Sequence, residues 1–212
     1  MLQTITRLLL RLQLAFNSFS NLIARRTALL GAVLFVCLGV ETACWGIETP
    51  DYSEKIYATS DQALVQMFPK ALRFEEKTVT LSAKEKKVVE TELGWRVTQT
   101  NYSVVNAMAE DKILGYGIIL DELGKHYPIT FMVGISPDLS VSNAVVMVYR
   151  ERIGWKIKKR RFLKQFFGKT LKDAIAVDLD INGISGATIS SWAVASGIRR
   201  ALVVTQVIQS RL

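Results

Sequence analysis

The pattern of apolar and polar residues divides the chain at about residue 48. From Thr27 to Ile47 the sequence reads TALLGAVLFVCLGVETACWGI, with Glu41 as its single charged residue. A run of about 20 apolar residues has the length that a helix needs to cross a bilayer. Trp45 lies near the end of the run, and tryptophan favours the membrane–water interface. Residues 27–47 are therefore predicted to form a transmembrane anchor.

The charges that flank this run predict its orientation. Arginines precede it and acidic residues follow it. These residues are Arg7, Arg11, Arg25 and Arg26 before the run, and Glu48, Asp51 and Glu54 after it. Because Lys- and Arg-rich flanks stay in the cytoplasm, the chain is predicted to cross the bacterial inner (cytoplasmic) membrane once, with residues 48–212 on the periplasmic, extracytoplasmic side. The alternative is a cleaved signal peptide, which the long preceding segment and the interruption by Glu41 disfavour.

Residues 1–26 are predicted to form a cytoplasmic amphipathic segment. Its apolar residues recur mostly every three or four positions, as on one face of a helix. They are Leu2, Ile5, Leu9, Leu12, Phe16, Phe19 and Ile23. Such a helix lies along the membrane surface or against a partner subunit.

Helix and strand patterns follow one another in blocks beyond the anchor. A helix is predicted from Asp61 until Pro69 ends it, and a capping pattern at Ser82 begins a second helix that runs to about Leu93. Five β-like runs follow, several with alternating apolar and polar residues. They are Trp95–Thr100, Tyr102–Met108, Ile113–Leu120, Ile129–Ile135 and Val141–Tyr149. With a last helix over 192–207, this order predicts an α+β domain in which helices pack on one face of an antiparallel sheet.

The positive charge of the chain is concentrated in two places. The formal net charge is +8, and the excess lies in the arginines before the anchor and in a basic cluster at Arg150–Arg161. The cluster is either a solvated face or a docking face for acidic lipid or for an acidic partner. Nucleic acid is an unsuitable partner for an exported domain. The charge therefore does not indicate a nucleic-acid-binding protein.

Cysteine and histidine offer little for metal chemistry. Cys37 and Cys44 both lie in the predicted span, about 10 Å apart along a helix, which is too far for a disulfide. They are interpreted as ordinary buried thiols, and an iron–sulfur cluster shared with a partner is the alternative. His126 is the only histidine and has no matching ligand spacing, so no metal site is predicted.

The candidate chemistry lies in one short stretch near the end of the chain. Residues 184–191 read ISGATISS and precede the last predicted helix. Small residues allow a tight turn, and Ser190 or Ser191 is expected to cap the helix. Backbone N–H groups and the positive end of the helix dipole then make the turn an anion site. A plain structural loop is the alternative interpretation.

A hydrolase is a further interpretation of the same stretch. The sequence around Ser185 faintly resembles a nucleophile elbow, which requires an acid and a histidine later in the chain. No Asp, Glu or His follows Asp180. The hydrolase interpretation therefore fails.

The stretch Ser185-Gly186-Ala187-Thr188, followed by an apolar residue and a serine, resembles the flavinylation motif of the FMN-binding domain family. That family includes the flavin-bearing subunits of sodium-translocating NADH:quinone reductase and of the Rnf complex. In its members FMN is joined through its phosphate, as an ester, to the last residue of this motif. The resemblance implies that Thr188 carries FMN as a covalent phosphoester.

Other motifs carry the same resemblance in the same order. Gly115-Tyr116-Gly117 and residues 128–135 resemble the first two strands of the family, and residues 162–169 match its Phe-Leu-x-Gln-Phe-x-Gly-Lys stretch. Residues 148–155 stand where the family has a Glu-Thr-Pro-Gly turn beside the flavin. The resemblance implies an FMN-binding domain over residues 105–212, preceded by a part with helices and strands over residues 48–104.

The chain departs from the family pattern at two places. Asn182 replaces the usual aspartate three residues before the motif, and Asp180 lies two positions earlier. The resemblance implies that a flavin transferase attaches FMN and recognises this acid, so Asn182 is expected to affect the efficiency of attachment. Arg152 and Ile153 replace the Thr-Pro of the flavin-side turn, whereas Glu151 is retained.

The predicted cofactor-binding residues come from the loop, the turn and a histidine segment. They are Thr188 as the covalent position, Ser185, Gly186, Ala187, Ile189, Ser190, Glu151, Tyr149, His126 and Tyr127. Glu151 is expected near the isoalloxazine ring. Tyr149 and Tyr127 are expected either to stack on the ring or to belong to the core. His126 is either an exposed turn residue or a neighbour of the flavin.

The function implied by the resemblance is that of a membrane-anchored flavoprotein electron-transfer subunit. The sequence has no nicotinamide fingerprint, no haem motif and no cysteine set in the exported domain. The chain is therefore expected to relay electrons among the subunits of a membrane redox complex. The alternatives are a stand-alone extracytoplasmic flavin reductase and a flavin-free assembly anchor.

Overall fold

The computed structural model describes residues 52–212, and the predicted anchor, the amphipathic segment and both cysteines lie outside this range. Along the described chain, two strands alternate with two helices, four consecutive strands follow, and two further helices come last. The strands are β1 (Tyr52–Ile56), β2 (Arg73–Thr80), β3 (Asn101–Ala109), β4 (Lys112–Leu123), β5 (Pro128–Ile135) and β6 (Val141–Glu151). The α-helices are α1 (Ser60–Met67), α2 (Ala83–Leu93), α3 (Arg160–Leu163) and α4 (Thr188–Ile208). Short 3-10 turns cover Trp155–Lys158, Lys164–Phe166 and Gln209–Arg211.

The strands form one antiparallel sheet in the order β1-β6-β5-β4-β3-β2. Strands β3 to β6 are joined as a meander, and the two earliest strands pair at its opposite edges. The predicted α+β class with an antiparallel sheet and flanking helices is confirmed. The boundary predicted between residues 104 and 105 falls inside β3, because the sheet continues across it.

Helices cover both faces of the sheet, so the prediction of helices on one face is wrong. Phe131 and Val133 of β5 belong to the core beneath α2 and α4. Met132, between them, belongs to a second core with Leu64 and Met67 of α1. Successive side chains of a strand point to opposite faces, so a strand with both sets buried must be covered twice.

The two early helices form because the sequence caps them. The Thr59 hydroxyl accepts from the Gln62 N–H, and the Gln62 side chain accepts from the Thr59 N–H. Ser82 and Glu85 make the same reciprocal pair at the start of α2. Such capping boxes satisfy N–H groups that have no partner inside the helix. The first helix begins one residue before the predicted Asp61, and the second begins directly after Ser82, as predicted.

The predicted strand over Trp95–Thr100 is wrong. No residue of this segment belongs to a strand, and the Val97 N–H donates to the Glu90 carboxylate at 2.9 Å. Two edge strands, β1 and β2, were not predicted. β2 reads RFEEKTVT and buries only Val79 fully, so it lacks the apolar alternation of a central strand. Charged residues at sheet edges discourage pairing with other chains.

The long helix α4 begins four residues earlier than predicted, at Thr188. Its N-cap is Ala187, which offers no side-chain cap, so the prediction that Ser190 or Ser191 caps the helix is wrong. Most of α4 is buried against β4 and β5. The Arg200 guanidinium forms an ion pair with the Glu122 carboxylate, 3.0 Å away, and donates a hydrogen bond to the Asp121 carbonyl at 2.8 Å.

No helix among residues 52–212 combines the length and the apolar character that a bilayer crossing requires.

The packing of α1 on the sheet depends on the glycines of β4. A Cβ on Gly115 would lie 2.6 Å from the Phe68 ring and 2.7 Å from the Ile135 carbonyl oxygen. The atoms nearest a Cβ on Gly117 are the ends of the Leu64 and Met132 side chains, at 3.0 and 3.3 Å, and the Val105 carbonyl oxygen is at an ordinary contact distance of 3.8 Å. Flexible side-chain ends move more easily than the backbone of a neighbouring strand.

We therefore predict that Gly115→Ala lowers the free energy of unfolding by about 1–3 kcal/mol, the usual cost of overpacking. Gly117→Ala is the matched control and should cost clearly less. Chemical denaturation followed by circular dichroism measures both values. Equal costs for the two variants would contradict the packing described for α1.

Candidate functional site

A tight turn leads directly into the first turn of α4. The Ala187 N–H donates to the Ile184 carbonyl at 2.8 Å, and Gly186 has a φ of +76°. That backbone conformation is easily reached by glycine. Ser191 fixes the turn from the helix side, since its hydroxyl accepts from the Ile184 N–H and donates to the Ala187 carbonyl. The turn is therefore held by its own backbone and by one buried serine.

The start of α4 presents unpaired donors. The first backbone bond of the helix runs from the Ser191 N–H to the Ala187 carbonyl at 2.8 Å. The N–H groups of Thr188, Ile189 and Ser190 precede it and have no acceptor inside the helix. The positive end of the helix dipole lies at the same place. This terminus suits a phosphate or another anion.

A cavity of about 310 Å³ opens at this helix terminus. Its volume lies at the small end of the range of ligand pockets, about 300–1,000 Å³. Three separate segments line it: the loop before β5, the turn after β6 and the first turn of α4. The lining residues are Lys125, His126, Glu151, Arg152, Ile153, Gly154, Gly186, Ala187, Thr188, Ile189 and Ser190.

Glu151 is a buried carboxylate in the wall of this cavity. It is only 6% exposed, and its Oε1 accepts from the N–H groups of His126 and Tyr127 at 2.8 and 3.2 Å. These bonds hold the loop before β5 against the end of β6. Buried carboxylates need such donors because losing water is costly for a charge. Glu151 therefore shapes the cavity from the end of β6.

Tyr149 lies behind the cavity and is fully buried. Its hydroxyl donates to the Ile153 carbonyl at 2.5 Å and lies 3.0 Å from the Ser190 hydroxyl. Burial raises the pKa of Tyr149 to about 12, and the nearby Glu151 carboxylate acts in the same direction, although the Ser190 hydrogen bond opposes them. The phenol is therefore protonated at neutral pH.

The residues predicted from sequence come together in part. Seven of them line the cavity, namely Thr188, Gly186, Ala187, Ile189, Ser190, Glu151 and His126. Ser185 is exposed on the turn and does not line it. Tyr127 packs edge-on against Tyr52, with ring centroids 5.1 Å apart, and reaches the site through its backbone N–H. Tyr149 belongs to the core.

Four residues of the cavity wall were not among the predicted site residues. They are Lys125, Arg152, Ile153 and Gly154. Lys125 and Arg152 bring positive charge to the cavity, and both are exposed. Ile153 is 70% exposed and contributes an apolar surface to the wall. Arg152 and Ile153 occupy the positions at which the sequence departs from the family turn, and that departure was the available signal.

Asp180 is engaged in holding a neighbouring loop. Its carboxylate accepts from Lys169 Nζ at 2.7 Å and from the N–H groups of Ala176 and Ile175 at 2.8 and 3.1 Å. Burial on its own would raise the pKa of Asp180, but the Lys169 ammonium and the two N–H donors outweigh it, so the pKa lies below its ordinary value. The Asp180 carboxylate is therefore fixed by hydrogen bonds within the loop that leads to the turn.

Asn182, in contrast, keeps its side chain exposed. The side-chain amide of Gln165 holds the backbone of Asn182 by two hydrogen bonds. It donates to the Asn182 carbonyl at 3.1 Å and accepts from the Asn182 N–H at 2.8 Å. A second hollow of about 540 Å³ runs beside this contact. It is lined by Lys156, Lys159, Arg161, Phe162, Gln165, Asn182, Gly183 and Ile184. This basic groove has three cations in its wall and no acidic residue.

Comparison with known proteins finds one matching domain family and one relative. Residues 124–203 match the model of the FMN-binding domain family. The chain is also 25% identical over 191 residues to the G subunit of the Na⁺-translocating ferredoxin:NAD⁺ oxidoreductase complex of Acetobacterium woodii. That match covers 84% of this chain and 90% of the relative. The resemblance drawn from the motifs is confirmed.

Asp180 provides a test of the loop that supports the turn. Because its folded-state pKa is lowered, it stabilises the fold above the ordinary aspartate pKa of about 3.9, and this contribution is lost as the pH falls through the folded value. We predict that Asp180→Asn lowers the free energy of unfolding by about 2 kcal/mol at pH 7, as for hydrogen bonds to a charged group. The difference from wild type should shrink below pH 4.

Urea unfolding of both proteins at pH 7 and pH 3 measures this difference. Asp178→Asn is the matched control, since Asp178 lies in the same loop and is exposed. A difference between wild type and Asp180→Asn that stays constant with pH would contradict the assigned role of the carboxylate.

Proposed function

Since this chain carries an FMN-binding domain over residues 124–203, we propose that it is an electron-transfer flavoprotein with FMN esterified to Thr188. One observation carries the proposal. The cavity joins the exposed Thr188, at the unpaired N-terminus of α4, to the buried carboxylate of Glu151 and the loop at His126. Thr188 therefore lies beside both a set of donors that suits a phosphate and a cavity that could hold a ring.

The residues present fit the phosphate of FMN. The N–H groups of Thr188, Ile189 and Ser190 point out of the helix terminus as donors. Lys125 and Arg152 add positive charge to the same cavity wall. A phosphate ester at Thr188 carries a negative charge, which the helix dipole and both cations stabilise. The donor set therefore favours an anion over a neutral ligand.

The remaining wall fits a flat heteroaromatic ring. Ile153 and Ile189 offer apolar surface, at 70% and 53% exposure, and His126 and Glu151 provide polar groups. Ligand sites commonly combine an apolar wall with a few fixed polar groups. When bound, the flavin supplies reversible uptake of electrons, while the protein supplies position and electrostatics. The lining residues thus hold and orient the ring.

Attachment needs an activated donor and an enzyme. The Thr188 Oγ1–phosphorus bond forms while the bond from that phosphorus to a nucleotide leaving group of a flavin dinucleotide breaks. The hydroxyl proton passes to a base supplied by a flavin transferase. Thr188 is exposed in the first turn of α4, where such an enzyme can reach it. The exposed side chain of Asn182 stands where the family motif has an aspartate.

Relay within a complex is the favoured role. The Acetobacterium woodii relative is a subunit of a redox complex, which supports an equivalent place for this chain. The anchor predicted at residues 27–47 would then hold the domain at the outer face of the inner membrane. A stand-alone flavin reductase and a flavin-free assembly anchor are the competing roles. Turnover by the purified protein with a donor would favour the reductase.

The basic segment 156–164 fits an acidic redox partner. Lys156, Lys158, Lys159, Arg160, Arg161 and Lys164 carry its charge, and no acidic residue occurs between Arg152 and Lys172. Its groove reaches Gly183 and Ile184, directly before the flavin-bearing turn. A partner with complementary charge is steered to such a surface. Docking here would bring that partner next to the cofactor.

The covalent link is tested with protein co-expressed with a flavin transferase. We predict flavin fluorescence in the denatured gel band of the wild type and none in Thr188→Ala, because the ester oxygen is absent. Ser185→Ala is the matched control, since it removes a hydroxyl from the same turn but not from the cavity wall. Its band should stay fluorescent.

A dark wild-type band would sink the proposed attachment and favour the flavin-free anchor. Fluorescence retained in Thr188→Ala would move the ester to another hydroxyl.

The basic segment is tested in membranes that contain the complete complex. We predict that Lys159→Glu with Arg161→Glu slows re-oxidation of the flavin roughly 10-fold at low salt, because attraction to an acidic partner becomes repulsion. High salt should reduce the difference by screening. Lys84→Glu with Lys87→Glu on α2 is the control, since both lysines are exposed on another element. Equal rates in the two double variants would contradict docking at this segment.

A further inference from the structure

The Tyr149 hydroxyl is the point at which the walls of the cavity are joined. It contacts the Ile153 carbonyl at 2.5 Å, the Ser190 hydroxyl at 3.0 Å and Glu151 Oε2 at 3.4 Å. Tyr149 and Ser190 are both buried, at 0% and 3% exposure. Solvent therefore does not compete for these contacts.

Counting protons gives the direction of each bond. A phenol has one hydrogen, and the Ile153 carbonyl can only accept, so Tyr149 donates to it. The Ser190 hydroxyl then donates to the Tyr149 oxygen. Glu151 Oε2 can also only accept, so at 3.4 Å it is the weaker of two acceptors for the same phenol proton. A buried and fully used set of hydrogen bonds favours one geometry over its alternatives.

Each partner of this hydroxyl belongs to a different wall. Ile153 lies in the turn after β6, and Ser190 lies in the first turn of α4, two residues after Thr188. Glu151 extends the connection to the loop before β5, through the N–H groups of His126 and Tyr127. All three walls therefore meet at one oxygen atom.

Gly154 shows how closely this junction is packed. A Cβ at residue 154 would collide with the Tyr149 hydroxyl and come within 3.0 Å of the Ser190 oxygen. Gly154 also has a φ of +98°, which disfavours any other residue. The turn after β6 can approach the junction only because residue 154 has no side chain.

We propose that Tyr149 is the positioning residue of the site and sets the distance between Thr188 and the turn at Ile153–Gly154. The inference rests on the proposed function, since it concerns the space in which the ring of an FMN held at Thr188 would lie. Tyr149 does not itself line the cavity. It acts through Ser190, Ile153 and Glu151. Removing the Tyr149 hydroxyl should therefore loosen the cavity walls, while the ester oxygen of Thr188 stays in place.

The test uses the full chain carrying covalent flavin, with Tyr149→Phe as the first variant. The in-gel flavin signal should remain, because Thr188 is unchanged. Quenching of the flavin fluorescence by iodide should rise about twofold or more, because looser walls open locally and admit the anion. The flavin absorption bands and the reduction potential should shift with the changed surroundings of the ring.

Two further variants separate positioning from general stability. Tyr102→Phe is the matched control, since Tyr102 is also fully buried and its hydroxyl donates to a backbone carbonyl, that of Gln99 at 3.1 Å. It should leave quenching and absorption unchanged. Ser190→Ala removes the same junction from the helix side and should reproduce the effect of Tyr149→Phe. The double variant should add little to either single one.

The outcomes distinguish this inference from the function on which it rests. A dark wild-type band overturns both. A fluorescent band in Tyr149→Phe with the iodide quenching and absorption of the wild type overturns the positioning role alone. A change of equal size in Tyr102→Phe also overturns it, because the effect would then come from any lost buried hydroxyl.

Discussion

The burial of α4 against the sheet is the constraint on which the site depends. The helix packs on β4 and β5 along most of its length, and the Arg200–Glu122 ion pair ties it to β4. Gly197 lets the ring of Phe131 approach the helix closely. A helix is rigid over this distance, so fixing its middle also fixes its first turn. The unpaired N–H groups at Thr188 are thereby held beside the end of β6.

The acidic and basic side chains around the cavity differ in their exposure to solvent. Glu151 is buried and accepts hydrogen bonds from backbone N–H groups, whereas Lys125 and Arg152 are exposed at the wall. The carboxylate therefore shapes the loop instead of pairing with the nearby cations. Those cations remain available to an anion at the helix terminus. The arrangement explains how one small cavity accommodates an acidic residue beside a helix terminus that suits an anion.

The central part of the fold could be predicted because its signals are local. Strands β3 to β6 alternate or bury apolar residues, and α1 and α2 carry capping boxes in their own sequence. The edge strand β2 was not predicted, because a strand with a single fully buried residue shows no alternation of apolar and polar positions. At Trp95–Thr100 the pattern resembled a strand, but the carboxylate of Glu90 captures the Val97 N–H.

The candidate site likewise has one part that could be predicted from a local motif and one part that could not. The turn at Gly186–Thr188 is a contiguous motif, and the sequence alone places it before a helix. The wall opposite it comes from residues far along the chain, such as Lys125 and Gly154, which only the sheet brings near. The junction at the Tyr149 hydroxyl is likewise invisible in sequence, because its partners are defined by packing.

Peptide mass spectrometry tests the central claim most directly. Trypsin should release residues 173–199 as one peptide from protein matured with a flavin transferase. We predict that this peptide gains the mass of FMN less one water, and that fragmentation assigns the added mass to Thr188. An unmodified peptide, or an added mass on Ser185 or Ser190, would contradict it.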